Sequence, residues 1–515
     1  MESHLPSSPS PVSNSSHGDE FEGNSDTAML SPSSSTYKPL PLKQKLGYSV
    51  GHVLNDLCSA IWFSYLLVFM TLVLGFSSTN AGILLLVGQI ADGAATPMVG
   101  IFSNKITFRN YGAKKFWHLI GSISVLTSFP LIFNSCIFNC DNSSPLARIA
   151  YYSIFISIFQ FGWASVQVSH LSLIPDLTPN SNERIGLNSL RYSWTVIASI
   201  TVYIITWLVL SVDQTVENST PQNETSPSLT EYLSANASFQ HDSTIGPNDA
   251  SKFRILVISI VSIGAFFTLL FHVIVDEKSR TNRSRTDEEN SNERSIDTEP
   301  HLRWFDWFSV PQFYSIGILY MGTRLVINLT QVYIPFYLHF TLDLRKESIA
   351  YIPLIMYCAS FLASLITKYL DTIFNKRVLY GIGGVVSGVT YAWMYYGSGS
   401  FYRVYGIFIV VILLGFSGAL MLVVSLGLTN DLIGHNTSSG AFVFGAMSLL
   451  DKVSNGLAVM VIQKIHPTDS PSSIGHVGFY RDAITYACGG GTLIGLFGLI
   501  MIYIKPIRTY KRTQT

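Results

Sequence analysis

Apolar stretches, each close to the roughly 20 residues that a helix needs to cross a bilayer, follow one another along nearly the whole of this 515-residue chain. They lie near residues 46–71, 80–103, 115–135, 148–173, 187–211 and 253–275, and again near 310–340, 349–369, 378–397, 402–428, 438–464 and 482–504. In lipid every backbone polar group needs a partner inside the protein, which leaves helices or closed barrels. Runs this long, without two-residue alternation, specify helices. The expected fold is an all-α membrane protein with twelve transmembrane helices in two six-helix bundles. A content of 48% hydrophobic and only 12% charged residues excludes a string of soluble domains.

Polar segments divide the series. Residues 1–40, rich in serine and proline, read as a disordered cytosolic tail. An N-terminal bundle is expected over 41–275, a cytosolic linker over 276–308, a C-terminal bundle over 309–505 and a cytosolic tail over 506–515. The 213–251 loop carries glycosylation sequons at Asn218, Asn223 and Asn236, which mark a lumenal face. Basic residues gather on the opposite side, at Lys105, Arg109, Lys114 and Lys115, at Lys368, Lys376 and Arg377, and at Lys505, Arg508, Lys511 and Arg512. An even number of spans puts both termini there. The 32 basic and 32 acidic residues balance, so no nucleic-acid partner is expected. The five cysteines make no disulfide framework; Cys136 and Cys140 are either one disulfide or two thiols.

Charges inside the apolar runs carry the function. Asp92 lies near the centre of the second span, and Gln89, Asp92 and Thr96 share one helix face. A mid-bilayer charge costs about 2.5–3.5 kcal/mol on insertion scales and therefore faces a partner or a polar cavity; a hydrogen-bonded acid that only cements packing is the plainer alternative. On the first span His52 and Asp56 are one turn apart. The fourth presents Gln160, Trp163, Gln167 and His170 as a polar stripe, either a cavity wall or an interhelical ladder. The seventh aligns Tyr320, Arg324, Asn328 and Gln331. Apart from basic residues at span ends, Arg191, Arg324 and Lys452 lie within spans, and Asp92 and Lys452, in opposite halves, make a natural pair. Nothing suggests an enzyme or a cofactor: there is no Walker A loop and no His-Glu-x-x-His, and Gly381-Ile382-Gly383-Gly384 lacks the carboxylate of an intramembrane aspartyl protease. Two six-span halves joined by a linker describe a transporter with its site at midplane.

The helix 2 run Asp92-Gly93-Ala94-Ala95-Thr96-Pro97-Met98-Val99-Gly100 resembles the Asp-x-x-x-Asp-Pro-x-x-Gly motif of the major facilitator superfamily, in its glycoside-pentoside-hexuronide cation symporter branch. The resemblance implies the major facilitator fold. It matches Asp56 to a substrate-contacting acid, Gln167 to a cation-binding carboxylate, Arg191 to a helix 5 arginine and Lys452 to a lysine near the cation site. Thr96 and Gln167 replace two of three carboxylates, a poor set for sodium, whereas Asp92 can carry a proton; uncoupled exchange is the other option. Longer runs, LGYSVGHVLNDLCSAIWFSYLL from Leu46 and DLIGHNTSSGAFVFGAMSLLDKVSNGLAVM from Asp431 among them, resemble members of the branch that move cysteine across lysosomal and melanosomal membranes. That likeness implies a monomer embedded in the lipid bilayer of such an organelle, with cysteine or a similar amino acid as substrate and protons as a partner. In it Asp56 and Asp92 would meet an ammonium or a proton, Arg191, Arg324 or Lys452 a carboxylate, and Gln89, Gln167 and Asn328 would orient by hydrogen bonds. A plasma-membrane symporter for sugar or lysolipid, and a non-transporting organelle scaffold or sensor, are the competing expectations.

Overall fold

The computed structural model describes residues 39–102, 111–137, 144–178, 180–217, 245–277, 303, 305–434, 437–467 and 473–506. Asn218, Asn223 and Asn236, the tail to residue 38, most of the 276–308 linker, Cys140 and the last nine residues lie outside them. Among the described residues every regular element is helical. Cys136 is disulfide-bonded, and Cys58, Cys358 and Cys488 are free.

The unit that begins at Leu40 holds α1 (Leu42–Val73), α2 (Ser78–Phe102), α3 (Ala113–Ile132), α4 (Pro145–Ser172), α5 (Ser181–Glu217), α6 (Ala250–Ile274), α7 (Pro311–Phe336), α8 (Ser348–Ile373), α9 (Lys376–Tyr396), α10 (Ile407–Ile433), α11 (Thr437–Ile465) and α12 (Ser473–Ile504). Ten are long and apolar enough to cross a membrane. The other two, α7 and α9, span 26 and 21 residues and are rich in glycine and tyrosine. Most of α7 is buried, so it meets protein rather than lipid and needs less hydropathy. Outward-facing Ile90, Leu269, Val273, Leu365, Leu493 and Phe497 are exposed, as side chains meant for acyl chains must be.

Without a hydrophobic drive between helices in lipid, small residues permit close packing. Gly121 of α3 meets Gly162 of α4, where an added Cβ would stand 2.8 Å from the Gly162 carbonyl oxygen. Gly322 of α7 meets Gly495 and Gly491 of α12 at 2.5 and 2.7 Å by the same measure. The start of α3 is capped from afar: the Glu277 carboxylate accepts from the backbone N–H groups of Lys114 at 3.2 Å and Lys115 at 2.9 Å, a favourable place for an anion at a helix N-terminus. Gly112, at φ +96°, leaves no room for a side chain beside that carboxylate.

The halves α1–α6 and α7–α12 meet along α1 with α7, α2 with α11 and α5 with α8. They repeat one local device. α1 closes in a π turn at Phe69–Val73, and α7 runs into a π turn at Tyr337–Thr341. At the end of the bundle remote from Leu42 the halves are tied by Tyr65 Oη donating to the Ile349 carbonyl at 3.2 Å and by an ion pair of Lys346 with Asp249 at 3.6 Å.

Candidate functional site

Charges collect halfway along α2, α7 and α11. Asp451 and Lys452 are consecutive, and the 100° turn per residue of an α-helix sends them to different neighbours. Asp451 faces its own half: its Oδ2 accepts from Arg324 Nε at 2.8 Å and its Oδ1 from Asn328 Nδ2 at 3.1 Å and Asn455 Nδ2 at 2.7 Å. Lys452 reaches the other half, 2.6 Å from Asp92 Oδ2. Its ammonium also donates to Thr96 Oγ1 at 3.1 Å, and that hydroxyl donates to the Asp92 carbonyl at 2.8 Å. Both pairs are nearly closed to solvent except Arg324, whose side chain keeps 26% of its exposure.

That exposure opens into a cavity of about 310 Å³ between the halves, near the lower bound of the roughly 300–1,000 Å³ usual for small-molecule sites. Ser59, Trp163, Tyr192 and Thr195 line it from the first half, and Arg324, Asn328, Gln331, Tyr357 and Ser360 from the second, among apolar walls. Arg324 is the one charged side chain among the lining residues. Because a carboxylate can only accept, Asp451 fixes the Asn328 amide with its NH₂ inward, which leaves Oδ1 for a donor. Likewise Arg324 spends Nε on Asp451 and keeps its terminal nitrogens.

Among the residues expected from sequence, the cavity therefore takes Trp163, Arg324, Asn328 and Gln331. Asp92, Thr96 and Lys452 sit in the seam between α2 and α11, outside the lining. Gln89, buried in the same seam, borders a void of about 10 Å³ shared with Asn328 and Asn455. Asp56 and Gln167 lie one side chain behind the wall. Asp56 Oδ1 pairs with His52 Nδ1 at 2.9 Å and its Oδ2 accepts from the lining Thr195 at 3.1 Å. Gln167 Oε1 accepts from the indole N–H of the lining Trp163 at 3.0 Å. Arg191, one turn before Thr195, has a buried Nε without a hydrogen-bond partner among the described residues.

Asp451 and the lining Thr195, Tyr192 and Tyr357 are site residues that the sequence reading leaves out. Asp451 was detectable: Arg324 cannot lose its proton, and a mid-span carboxylate on another helix is its natural partner. The hydroxyls and rings give no such signal, since they occur on packing faces as readily as on cavity walls.

A family model described as "MFS/sugar transport protein" matches residues 47–465. The chain is 42% identical over 475 residues to "Major facilitator superfamily domain-containing protein 12" of Homo sapiens, covering 92% of this chain and 95% of that protein. An uncharacterized symporter of Synechocystis sp. is 30% identical over 165 residues, 31% of this chain and 30% of its own length. Among solved structures the fold is similar to the inward-open xylose transporter XylE of E. coli, with a TM-score of 0.59 at 13% identity over 91% of this chain and 97% of that one.

Proposed function

The chain belongs to the major facilitator superfamily of membrane transporters, and from that premise we propose that it moves a small amino acid, cysteine or a close relative, by alternating access across a lysosomal or melanosomal membrane, both termini cytosolic. The observation that carries this reading is the triad Arg324–Asp451–Asn328 at the cavity wall. One carboxylate holds a guanidinium and an amide side by side. The guanidinium is suited to a substrate carboxylate, and the amide oxygen beside it to an ammonium. A zwitterion carries those two groups on one carbon. A neutral sugar offers that guanidinium no charge to pair with, and a cation kept at mid-bilayer is costly.

Asp92 and Lys452 act in this reading as a contact between the halves that is made in one state of the cycle and altered in another. Binding and release are the whole chemistry. The test is uptake of radiolabelled cysteine, with xylose and a lysolipid in parallel, into liposomes holding the purified chain. Cysteine uptake that falls by at least about tenfold in Arg324→Gln, a loss of roughly 1.4 kcal/mol of binding, supports the proposal; xylose or lysolipid uptake without cysteine uptake overturns it. Cysteine content of purified organelles with and without the protein tests the location.

A further inference from the structure

Four histidines of the first half, His52, His118, His170 and His272, stand ring to ring behind the cavity wall, and their hydrogen bonds fix which nitrogens carry protons. His118 Nε2 is 2.8 Å from the Gly51 carbonyl, so it must be the donor there and its Nδ1 an acceptor. His272 Nε2, 3.1 Å from that Nδ1, therefore donates to it, and Tyr111 Oη donates to His272 Nδ1 at 2.8 Å. That branch is saturated. His170 Nε2 donates to the Tyr48 carbonyl at 2.8 Å, which makes His170 Nδ1 a bare acceptor. His52 Nδ1 donates to Asp56, which makes His52 Nε2 a bare acceptor as well.

His52 Nε2 and His170 Nδ1 are both buried, and neither has a hydrogen-bond partner among the described residues. Their rings lie 5.9 Å apart. A buried lone pair without a donor is costly, and an added proton turns such a nitrogen into a donor. The fold spends effort on the arrangement: an added Cβ on Gly51 would stand 2.7 Å from the His170 ring and 2.5 Å from that of Phe271, so only glycine lets α1 approach. Among the described residues no three His, Cys, Asp or Glu side chains are placed to hold a metal ion.

We propose that His52, held by Asp56 and backed by His170, is the binding site of a transported proton. The proton comes from water on the more acidic side, adds to an imidazole lone pair to give an imidazolium beside the Asp56 carboxylate, and leaves from the same nitrogen; no other bond forms or breaks. Asp56 reports the change to the cavity through one hydroxyl, since Thr195 both donates to its Oδ2 and lines the cavity. The groups that face the site are Tyr48 and Asp56 on α1, His118 on α3, His170 on α4, Arg191 and Thr195 on α5, and, behind His118, His272 on α6. Among these groups Asp56 is the one acid and Arg191 the one base that is always charged.

This inference rests on the transporter reading, and two measurements separate them. In liposomes holding the full chain, cysteine uptake is followed across an imposed pH gradient while a trapped dye reports lumenal pH. Protons are expected to move with cysteine in the wild type and not in His52→Gln. The pH of half-maximal uptake is expected to fall in Asp56→Asn, which removes the compensating charge, and to rise in Arg191→Gln, which removes the opposing one; a purely structural role moves neither in opposite senses. Independently of any substrate, ¹⁵N-histidine spectra of the chain in nanodiscs, taken from about pH 8 to about pH 4, across the ordinary histidine range, should show a titrating signal that is missing in His52→Gln and shifted in His170→Gln. That signal with no cysteine uptake sinks the substrate reading and leaves the site standing. Cysteine uptake indifferent to the gradient, or spectra in which no titrating signal depends on His52, overturns the site. Should His52→Gln fail to fold, His170→Gln carries the test, a shifted titrating signal and a shifted pH dependence of uptake supporting the site and the absence of both overturning it.

Discussion

Asp451 and Lys452, neighbours on α11, are bound to opposite halves of the molecule: the carboxylate to Arg324 of α7 at 2.8 Å, the ammonium to Asp92 of α2 at 2.6 Å. One helix thus carries a contact that stays within its half and one that bridges the gap.

Removing one member of a buried ion pair leaves the other uncompensated, at a cost of about 3–5 kcal/mol, while removing both costs less. Asp92→Ala and Lys452→Ala should each lower the melting temperature of the purified chain by more than half of what the double variant loses. Thermal unfolding in detergent checks this, and strictly additive losses would show that the two side chains do not depend on each other.

Asp451→Asn should impair uptake although its side chain touches no substrate, because an amide no longer compels Arg324 and Asn328 into one orientation. A KM raised by about tenfold or more, equivalent to roughly 1.4 kcal/mol, with the maximal rate less affected, is the expected pattern. Arg324→Lys should resemble it, since an ammonium lacks the planar fork that pairs with carboxylates.

Two glycines on α10 should behave oppositely. A Cβ on Gly418, at the cavity wall, would find its nearest contact at 3.6 Å from Ile327 Cγ1, so Gly418→Leu should fold and yet block uptake by occupying the cavity. A Cβ on Gly415 would collide with the Met356 carbonyl oxygen, so Gly415→Ala should reduce the yield of folded protein. Size-exclusion profiles and uptake, measured on both, distinguish the outcomes.

At the end remote from Leu42, Lys346 pairs with Asp249 and Tyr65 donates to Ile349 across the halves. Lys346→Ala together with Tyr65→Phe should loosen this closure. A cysteine placed at Ser59 on the cavity wall should then react severalfold faster with a membrane-impermeant maleimide added at that end; an unchanged rate would mean that the contacts do not hold the gap shut.

The helices were legible because lipid imposes one rule on every span, and it can be read residue by residue. α5 shows the limit: the apolar run ends near 211, whereas the helix is assigned over Ser181–Glu217, since backbone hydrogen bonds continue where hydropathy stops. The intramembrane charges were equally legible, each too costly to be idle. What sequence could not give is direction. Asp92 and Arg324 look alike as buried charges, yet one is sealed in a seam and the other opens into the cavity, and only the rotation of α2 and α7 against their neighbours decides that. Thr195, which connects Asp56 to the cavity, was hidden because a hydroxyl is at home on any packing face; Trp163, on a stripe read as wall or ladder, both lines the cavity and donates to Gln167.

The π turns that end α1 and α7 set a common ruler for the halves: Asp56 and Arg324 each stand thirteen positions before the first residue of their turn, Phe69 and Tyr337. Matching irregularities at matching places are the mark of an internal structural repeat. A precursor built from two identical copies would have had to set like against like across its axis. Here the matching positions differ, an acid one side chain behind the wall and a guanidinium at the wall, which gives the enclosed space a polarity that two identical copies could not have.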